Sequence, residues 1–297
     1  MRVAITGAGG RLGRALLAAL GGDAIPWLHA DFDLDAPRGA DVLLDRDRPG
    51  AVIHAAAWTD VDGCARDPEL AQRRNGHATG VLADACAARG IHLISVSTNE
   101  VFDGLRTDGR GYGPDDTPAA VNPYGASKLA GERAAQAAFA RGRSGAHLAI
   151  VRTAWLFGPP GRDFPDKILA AAERGAATGE TLRLVADEIG NPTSTVHLAA
   201  ACAALVNAGI PQGTHHVVNA GSTSRAGWAR EILRLADFED LATVEVPGSA
   251  WPRASAPPPR AVLAATALPG GLRLPSWQAA TAAYLPWLIA ARTAVAS

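Results

Sequence analysis

Apolar and polar positions along the chain sort into two kinds of segment. Short apolar runs recur at about 2–6, 24–28, 51–57, 91–96 and 147–153. Runs that are apolar at most consecutive positions, rather than at every second residue, suit strands covered on both faces of a parallel sheet. Between them, Leu12, Ala15, Leu16 and Leu20 repeat at helical spacing, and helical patterns also cover about 68–88 and 123–140. A short helix is expected after Asp33-Leu34-Asp35. This alternation predicts an α/β fold with a Rossmann-like doubly wound parallel sheet. After Gly158-Pro159-Pro160-Gly161 the alternation becomes irregular. Beyond it we expect a turn at 187–193, a helix at 194–207, short strands near 214–218 and 243–246, and a helix near 225–236. A Pro-rich loop at 252–259 and a closing helix from about Ser276 complete the chain. The pattern predicts a smaller, interleaved C-terminal α/β domain. Residues 1–155 plus about 193–218 would form the sheet domain, and 156–192 with 219–297 the smaller one.

Composition narrows the class. A chain of 297 residues can bury a large core, and 48% hydrophobic with 19% charged residues is ordinary for a soluble globular protein. A net charge of −1 and a pI near 6.7 supply no basic field for nucleic acid or acidic lipid. Cys64, Cys86 and Cys202 have no paired spacing, so we expect a reducing compartment and no metal site. The N-terminal residues carry no leader pattern, and apolar runs such as 196–206 are too short to span a bilayer. A cytoplasmic protein with no membrane partner is expected.

Two stretches carry chemistry. After the first apolar run comes Gly7-Ala8-Gly9-Gly10-Arg11-Leu12-Gly13 and then a helical pattern. A strand, a glycine turn at G-x-x-G-x-x-G spacing and a helix make a phosphate cradle. Backbone approaches the pyrophosphate closely at the glycines, and the helix N-terminus offers amides. The second strand ends without an acid at its tip, and His29 and Arg11 can meet a phosphate, which favours NADP(H) over NAD(H). Asp33 and Leu34 are expected to flank the adenine. Ala55, Ala56 and Ala57 leave room for a ligand at a strand's carboxyl end, with Thr59 and Val61 beyond. The second stretch is Asn122-Pro123-Tyr124-Gly125-Ala126-Ser127-Lys128. On a helix opened by Pro123, Tyr124 and Lys128 stack one turn apart, and the ammonium is expected to lower the phenol pKa. Thr98, closing the strand before it, would hold a carbonyl oxygen. Asn75, a poor helix-interior residue, would kink its helix beside Lys128.

Taken together, Ala55-Ala56-Ala57-Trp58-Thr59-Asp60-Val61-Asp62, Ser97-Thr98-Asn99-Glu100-Val101-Phe102, Asn122 to Glu132, Arg152 to Gly158 and Gly190-Asn191-Pro192-Thr193 resemble the dTDP-4-dehydrorhamnose reductase family. These are extended short-chain dehydrogenases/reductases. The resemblance spans nearly the whole chain and implies reduction of a nucleotide-linked 4-keto sugar by NAD(P)H in deoxysugar biosynthesis. It implies Tyr124 as proton donor, Lys128 as its tuner and nicotinamide-ribose holder, Thr98 as ketone polariser and Asn75 as the end of a proton relay. Gly7, Gly10 and Gly13 would hold the pyrophosphate, with Trp155, Phe164, Pro192 and Thr193 shaping the sugar-nucleotide pocket. Two departures stand out. Asn99-Glu100 occupies the place where the family shows Asp-Tyr beside the sugar. Ala256-Pro257-Pro258 replaces an Arg-Arg-Pro step, leaving Arg253 and Arg260 as stand-ins for binding the diphosphate. A sugar-nucleotide dehydratase or epimerase shares the fold, and Thr98-Asn99-Glu100 resembles the dehydratases, but an amide cannot supply a carboxylic proton. A non-catalytic dinucleotide-binding regulatory subunit is the third reading. The sugar, its base and the oligomeric state, homodimer or other, stay open.

Overall fold

A computed structural model of the chain describes residues 1–142 and 145–296. Its sheet-forming part runs β1 (Val3–Thr6), α1 (Arg11–Leu20), β2 (Ala24–Trp27), α2 (Ala40–Asp47), β3 (Ala51–His54), α3 (Val61–Arg66), α4 (Pro68–Ala71), a π-turn (Gln72–His77) and α5 (Ala78–Arg89). It continues with β4 (His92–Thr98), α6 (Pro123–Arg141) and β5 (Leu148–Thr153). Then follow β6 (Leu156–Phe157), α7 (Phe164–Thr178), β7 (Leu182–Val185), β8 (Ile189–Gly190), β9 (Thr193–Ser194), α8 (Thr195–Asn207) and β10 (Gly213–His216). The chain closes with β11 (Thr223–Ser224), α9 (Arg225–Leu235), β12 (Thr243–Val246) and α10 (Trp277–Ala296).

Six strands pair in parallel in the order β10-β5-β4-β3-β1-β2. The chain starts inside the sheet and is flanked by β2 on one side and β3 on the other, so strand order reverses at β1. Ligand crevices form at such a switch point, beyond the carboxyl ends of the strands. The apolar runs are buried on both faces. In β1, Val3 and Ile5 pack with Leu16, Leu198 and Leu205 under α1 and α8. Ala4, between them, faces the opposite layer with Trp27, Leu82 and Ala135.

The single helix expected over 68–88 is interrupted. Asp60 and Asp67 each accept a hydrogen bond from a first-turn amide, at Gly63 and Leu70, so they start two short helices in succession. A π-turn containing Asn75 then precedes α5. The smaller part holds three two-stranded pairings, β6 with β9, β7 with β12 and β8 with β11. Helices α7, α9 and α10 pack there around Phe157, Leu169, Trp228, Ile232, Tyr284 and Leu288. The irregularity expected after Gly161 conceals α7. Its signals are local: Asp163 caps it by accepting from the Asp166 amide, and Gly179 ends it with φ 74°.

Candidate active site

Two adjoining clefts open at the carboxyl edge of the sheet. The first, about 650 Å³, runs from the glycine turn past Ala55–Ala57 to Thr98, Tyr124 and Lys128. The second, about 950 Å³, lies over α7 and β7, and the two share Arg11, Thr59, Trp155, Leu156 and Arg225. Both volumes fall in the range of small-molecule sites.

The glycine turn is shaped by contacts that no side chain could join. Gly7 has φ 65°, and a Cβ there would lie 2.9 Å from the Ala56 Cα. A Cβ on Gly13 would lie 2.2 Å from the Gly7 carbonyl oxygen, so this glycine lets α1 sit directly on the turn. Gly10, Arg11, Leu12, His29, Leu34, Ala55, Ala56, Ala57, Thr59 and Val61 line the same cleft. Arg11 points elsewhere than expected. Its guanidinium donates to the carbonyls of Gly161 (2.8 Å) and Arg162 (3.2 Å), joining the turn to the smaller part of the chain. Asp33 lies outside the cleft lining, its carboxylate accepting from the Asp35 amide.

Asn122 caps α6 through its side-chain oxygen (Gly125 amide, 2.8 Å), and Pro123 occupies the first turn. Tyr124 and Lys128 therefore face the cleft one turn apart. Lys128 is 5% exposed and makes no hydrogen bond or ion pair among the described residues. Burial brings its pKa down to about 8, with Glu132 acting in the opposite sense. The expected lowering of the Tyr124 pKa is not found. Burial pushes it well up, Glu100 adds to the rise, and only the Thr98 hydroxyl, within hydrogen-bond reach, opposes it. Burial together with the nearby Glu100 carboxylate keeps the phenol protonated.

Asn75 lies beneath the cleft rather than in its wall. Its side chain accepts from the Trp58 amide (2.8 Å) and donates to the Trp58 carbonyl (3.0 Å) and Ser127 Oγ (3.1 Å). Ser127 in turn donates to the Tyr124 carbonyl (2.7 Å), so Asn75 ties the cleft wall to the turn of α6 that carries Tyr124. Behind β4, Glu132 pairs with Arg152 (2.7 Å) and accepts from Ser97 (2.5 Å), all buried.

Asn99 and Glu100 line the first cleft. Asn99 Nδ2 donates to the Ala261 carbonyl at 3.0 Å. Trp155 holds φ 44°, a strained value for a bulky residue, and its carbonyl accepts from the Thr193 amide (3.2 Å). Phe164 and Arg253 line the second cleft, and Arg253 is ion-paired with Glu188. Pro192, Thr193 and Arg260 line neither cleft. Thr193 is fully buried in its pairing with β6, and Arg260 meets Ile189 through a backbone bridge. Arg260 is thus not brought to the clefts as a stand-in cation.

Arg225 is the principal residue the sequence did not single out. It stands where the clefts meet, 3.6 Å over the Trp155 ring and 5.2 Å from Phe164. Burial lowers its pKa to about 10. Trp228 stacks on both rings. Arg225 is placed by the β8–β11 pairing and by the hydrogen bond its backbone amide donates to the Glu188 carbonyl (3.0 Å), contacts between distant segments.

The RmlD substrate binding domain family matches residues 1–288. The chain belongs to this family. Its members among similar proteins include a dTDP-4-dehydrorhamnose reductase of Mycobacterium tuberculosis, 37% identical over 296 residues, spanning 96% of this chain and 92% of the relative. A dTDP-4-keto-6-deoxy-D-glucose reductase of Streptomyces niveus is 35% identical, over 78% of this chain and 77% of its own. Among solved structures, a dTDP-4-dehydrorhamnose reductase of Bacillus anthracis in complex with NADP superposes with a TM-score of 0.87 at 30% identity, covering 96% and 99% of the two chains. Glu100 and Arg225, side chains of opposite charge type, both line the first cleft.

Proposed function

We propose that this protein reduces the 4-keto group of a dTDP-linked deoxysugar with NADPH, as a step of deoxysugar biosynthesis. The observation that carries the reading is that Thr98, Tyr124 and Lys128 line one cleft with the glycine turn Gly7–Gly13. The family supports it, as do relatives named for reduction of dTDP-4-keto sugars and the Bacillus anthracis relative's NADP.

The turn fits a dinucleotide, because a pyrophosphate needs the close backbone approach that Gly7 and Gly13 allow at the start of α1. NADPH, when bound, supplies the hydride for the ketone carbon. Gly7, Gly10 and Gly13 would hold its phosphates and Lys128 its nicotinamide ribose. His29 lines the cleft where a 2′-phosphate would be met, whereas Arg11 is held by Gly161 and Arg162. Tyr124 gives its proton to the ketone oxygen, and its raised pKa keeps that proton in place at neutral pH. Thr98 donates to the same oxygen as charge develops on it. Asn75 keeps α6 in register with the cleft wall rather than touching substrate. The second cleft suits a nucleoside diphosphate, with Lys167, Arg174, Arg225 and Arg253 as cations and Trp155, Phe164 and Trp251 as stacking faces. In this division residues 1–155 with about 193–218 hold the dinucleotide, and 156–192 with 219–297 close on the substrate.

The test is NADPH oxidation with a panel of nucleotide-linked 4-keto sugars, products being identified by NMR. A 4-hydroxy product from a dTDP-sugar is expected. No turnover with any member of the panel would overturn the proposal.

A further inference from the structure

We propose that Glu100 gives this site a second activity, the reversible removal of a proton from a carbon next to the substrate's ketone, so that this hydrogen exchanges with solvent. The inference rests on the ketoreductase reading above, since it needs that ketone in the first cleft.

Glu100 is held between the two groups assigned to the ketone oxygen. Its amide donates to Thr98 Oγ1 at 3.1 Å. Its carbonyl lies against the first turn of α6 beside Tyr124, so close that a Cβ on Gly125 would sit 2.0 Å from it. One carboxylate oxygen, Oε2, accepts from Asn122 Nδ2 at 2.7 Å. Oε1 has no hydrogen-bond partner among the described residues, and the side chain lines the cleft. Burial raises the carboxyl pKa, with Asn122, Arg225 and Arg253 opposing, so Glu100 is a stronger base than a carboxylate in water.

A ketone whose oxygen is held by two hydroxyl donors has acidified hydrogens on its adjacent carbons, and a free carboxylate oxygen in the same cleft is a general base for them. In the step, the carbon–hydrogen bond breaks and its hydrogen passes to Glu100 Oε1. The freed electron pair forms the carbon–carbon double bond of an enol as the ketone oxygen takes the Tyr124 proton. Reversal returns a hydrogen from Glu100, which has meanwhile exchanged with water. Nothing is oxidised or reduced. The sequence of bonds stops at the enol, because loss of a neighbouring hydroxyl would require an acid to protonate it. Asn99 carries an amide there, and its Nδ2 is already donated to the Ala261 carbonyl. The site thus has the base for elimination without the acid.

The experiment uses the full-length protein without NADPH and a dTDP-linked 4-keto-6-deoxyhexose in D2O, followed by proton NMR at the carbons flanking the ketone. Loss of one of those signals at least tenfold faster than in protein-free buffer is expected. Glu100→Gln should return it to the background rate at unchanged melting temperature, and Glu100→Asp should restore part of it. Exchange at background rate with the parent protein, or equal exchange in parent and Glu100→Gln, would overturn the proposal. Reduction of the same sugar after NADPH addition separates the two readings. Reduction without exchange removes only the second activity, whereas absence of both overturns the ketoreductase reading and this inference with it.

Discussion

Replacing Lys128 with methionine is expected to stabilise the ligand-free protein at neutral pH. Lys128 is 5% exposed and has no partner of its own among the described residues. Its pKa falls from the ordinary 10.5 to about 8, mainly through burial. At about 1.4 kcal/mol per tenfold change in the proton equilibrium, holding that charge in the fold costs on the order of 3 kcal/mol. The sign follows from which state binds the proton. Between pH 8 and 10.5 the unfolded chain keeps it and the folded chain does not, so parental stability climbs with pH across that window. Below pH 8 both states are charged and the full penalty remains. Methionine fills a similar volume without charge, so after repacking losses we expect a gain of about 1–3 kcal/mol at pH 7, shrinking towards zero near pH 10. Urea unfolding at pH 7 and pH 10 at fixed ionic strength measures both numbers. A variant less stable than the parent at pH 7, or a difference identical at the two values, would refute the argument. The same substitution should weaken NADPH binding, a trade of stability against function at a charged site.

Two further outcomes are expected. Gly13→Ala should abolish measurable NADPH binding in calorimetry, because its methyl would lie 2.2 Å from the Gly7 carbonyl and force α1 away from the turn. Binding within a factor of three of the parent would show that the turn does not hold the phosphates. Glu132→Ala strands Arg152 in the interior at 4% exposure and should lower unfolding free energy by about 3–5 kcal/mol in urea titrations. A loss under about 1 kcal/mol would mean that the pair is solvated.

The parallel sheet and α6 were legible because their signals are local. Largely apolar runs mark β1, β3, β4 and β5, and Asn122-Pro123 marks the start of α6 within a residue. Helix α7 was legible too, in Asp163, Pro165 and Gly179, but the proline-glycine run before it suggested irregular chain. The π-turn at Asn75 is another matter. It rests on bonds to Trp58 and Ser127, seventeen and fifty-two residues away, which no window of sequence displays. Strand β7 likewise reads as a strand only beside β12, sixty residues on. Arg225 follows the same logic, being selected by its stacking partners rather than by its neighbours in the chain. The Tyr124 pKa went against expectation because helical spacing supplies the Lys128 charge but not the burial and the Glu100 carboxylate that outweigh it.

In the proposed reaction the Tyr124 phenol is the proton source, in a cleft that binds dinucleotide and ketone together. Single-turnover reduction by Tyr124→Phe, with NADPH affinity measured on the same preparation, tests this role most directly. A fall of about 10²–10⁴ in the chemical rate is expected, with NADPH affinity near that of the parent. A variant that reduces the sugar at the parental rate would contradict the role.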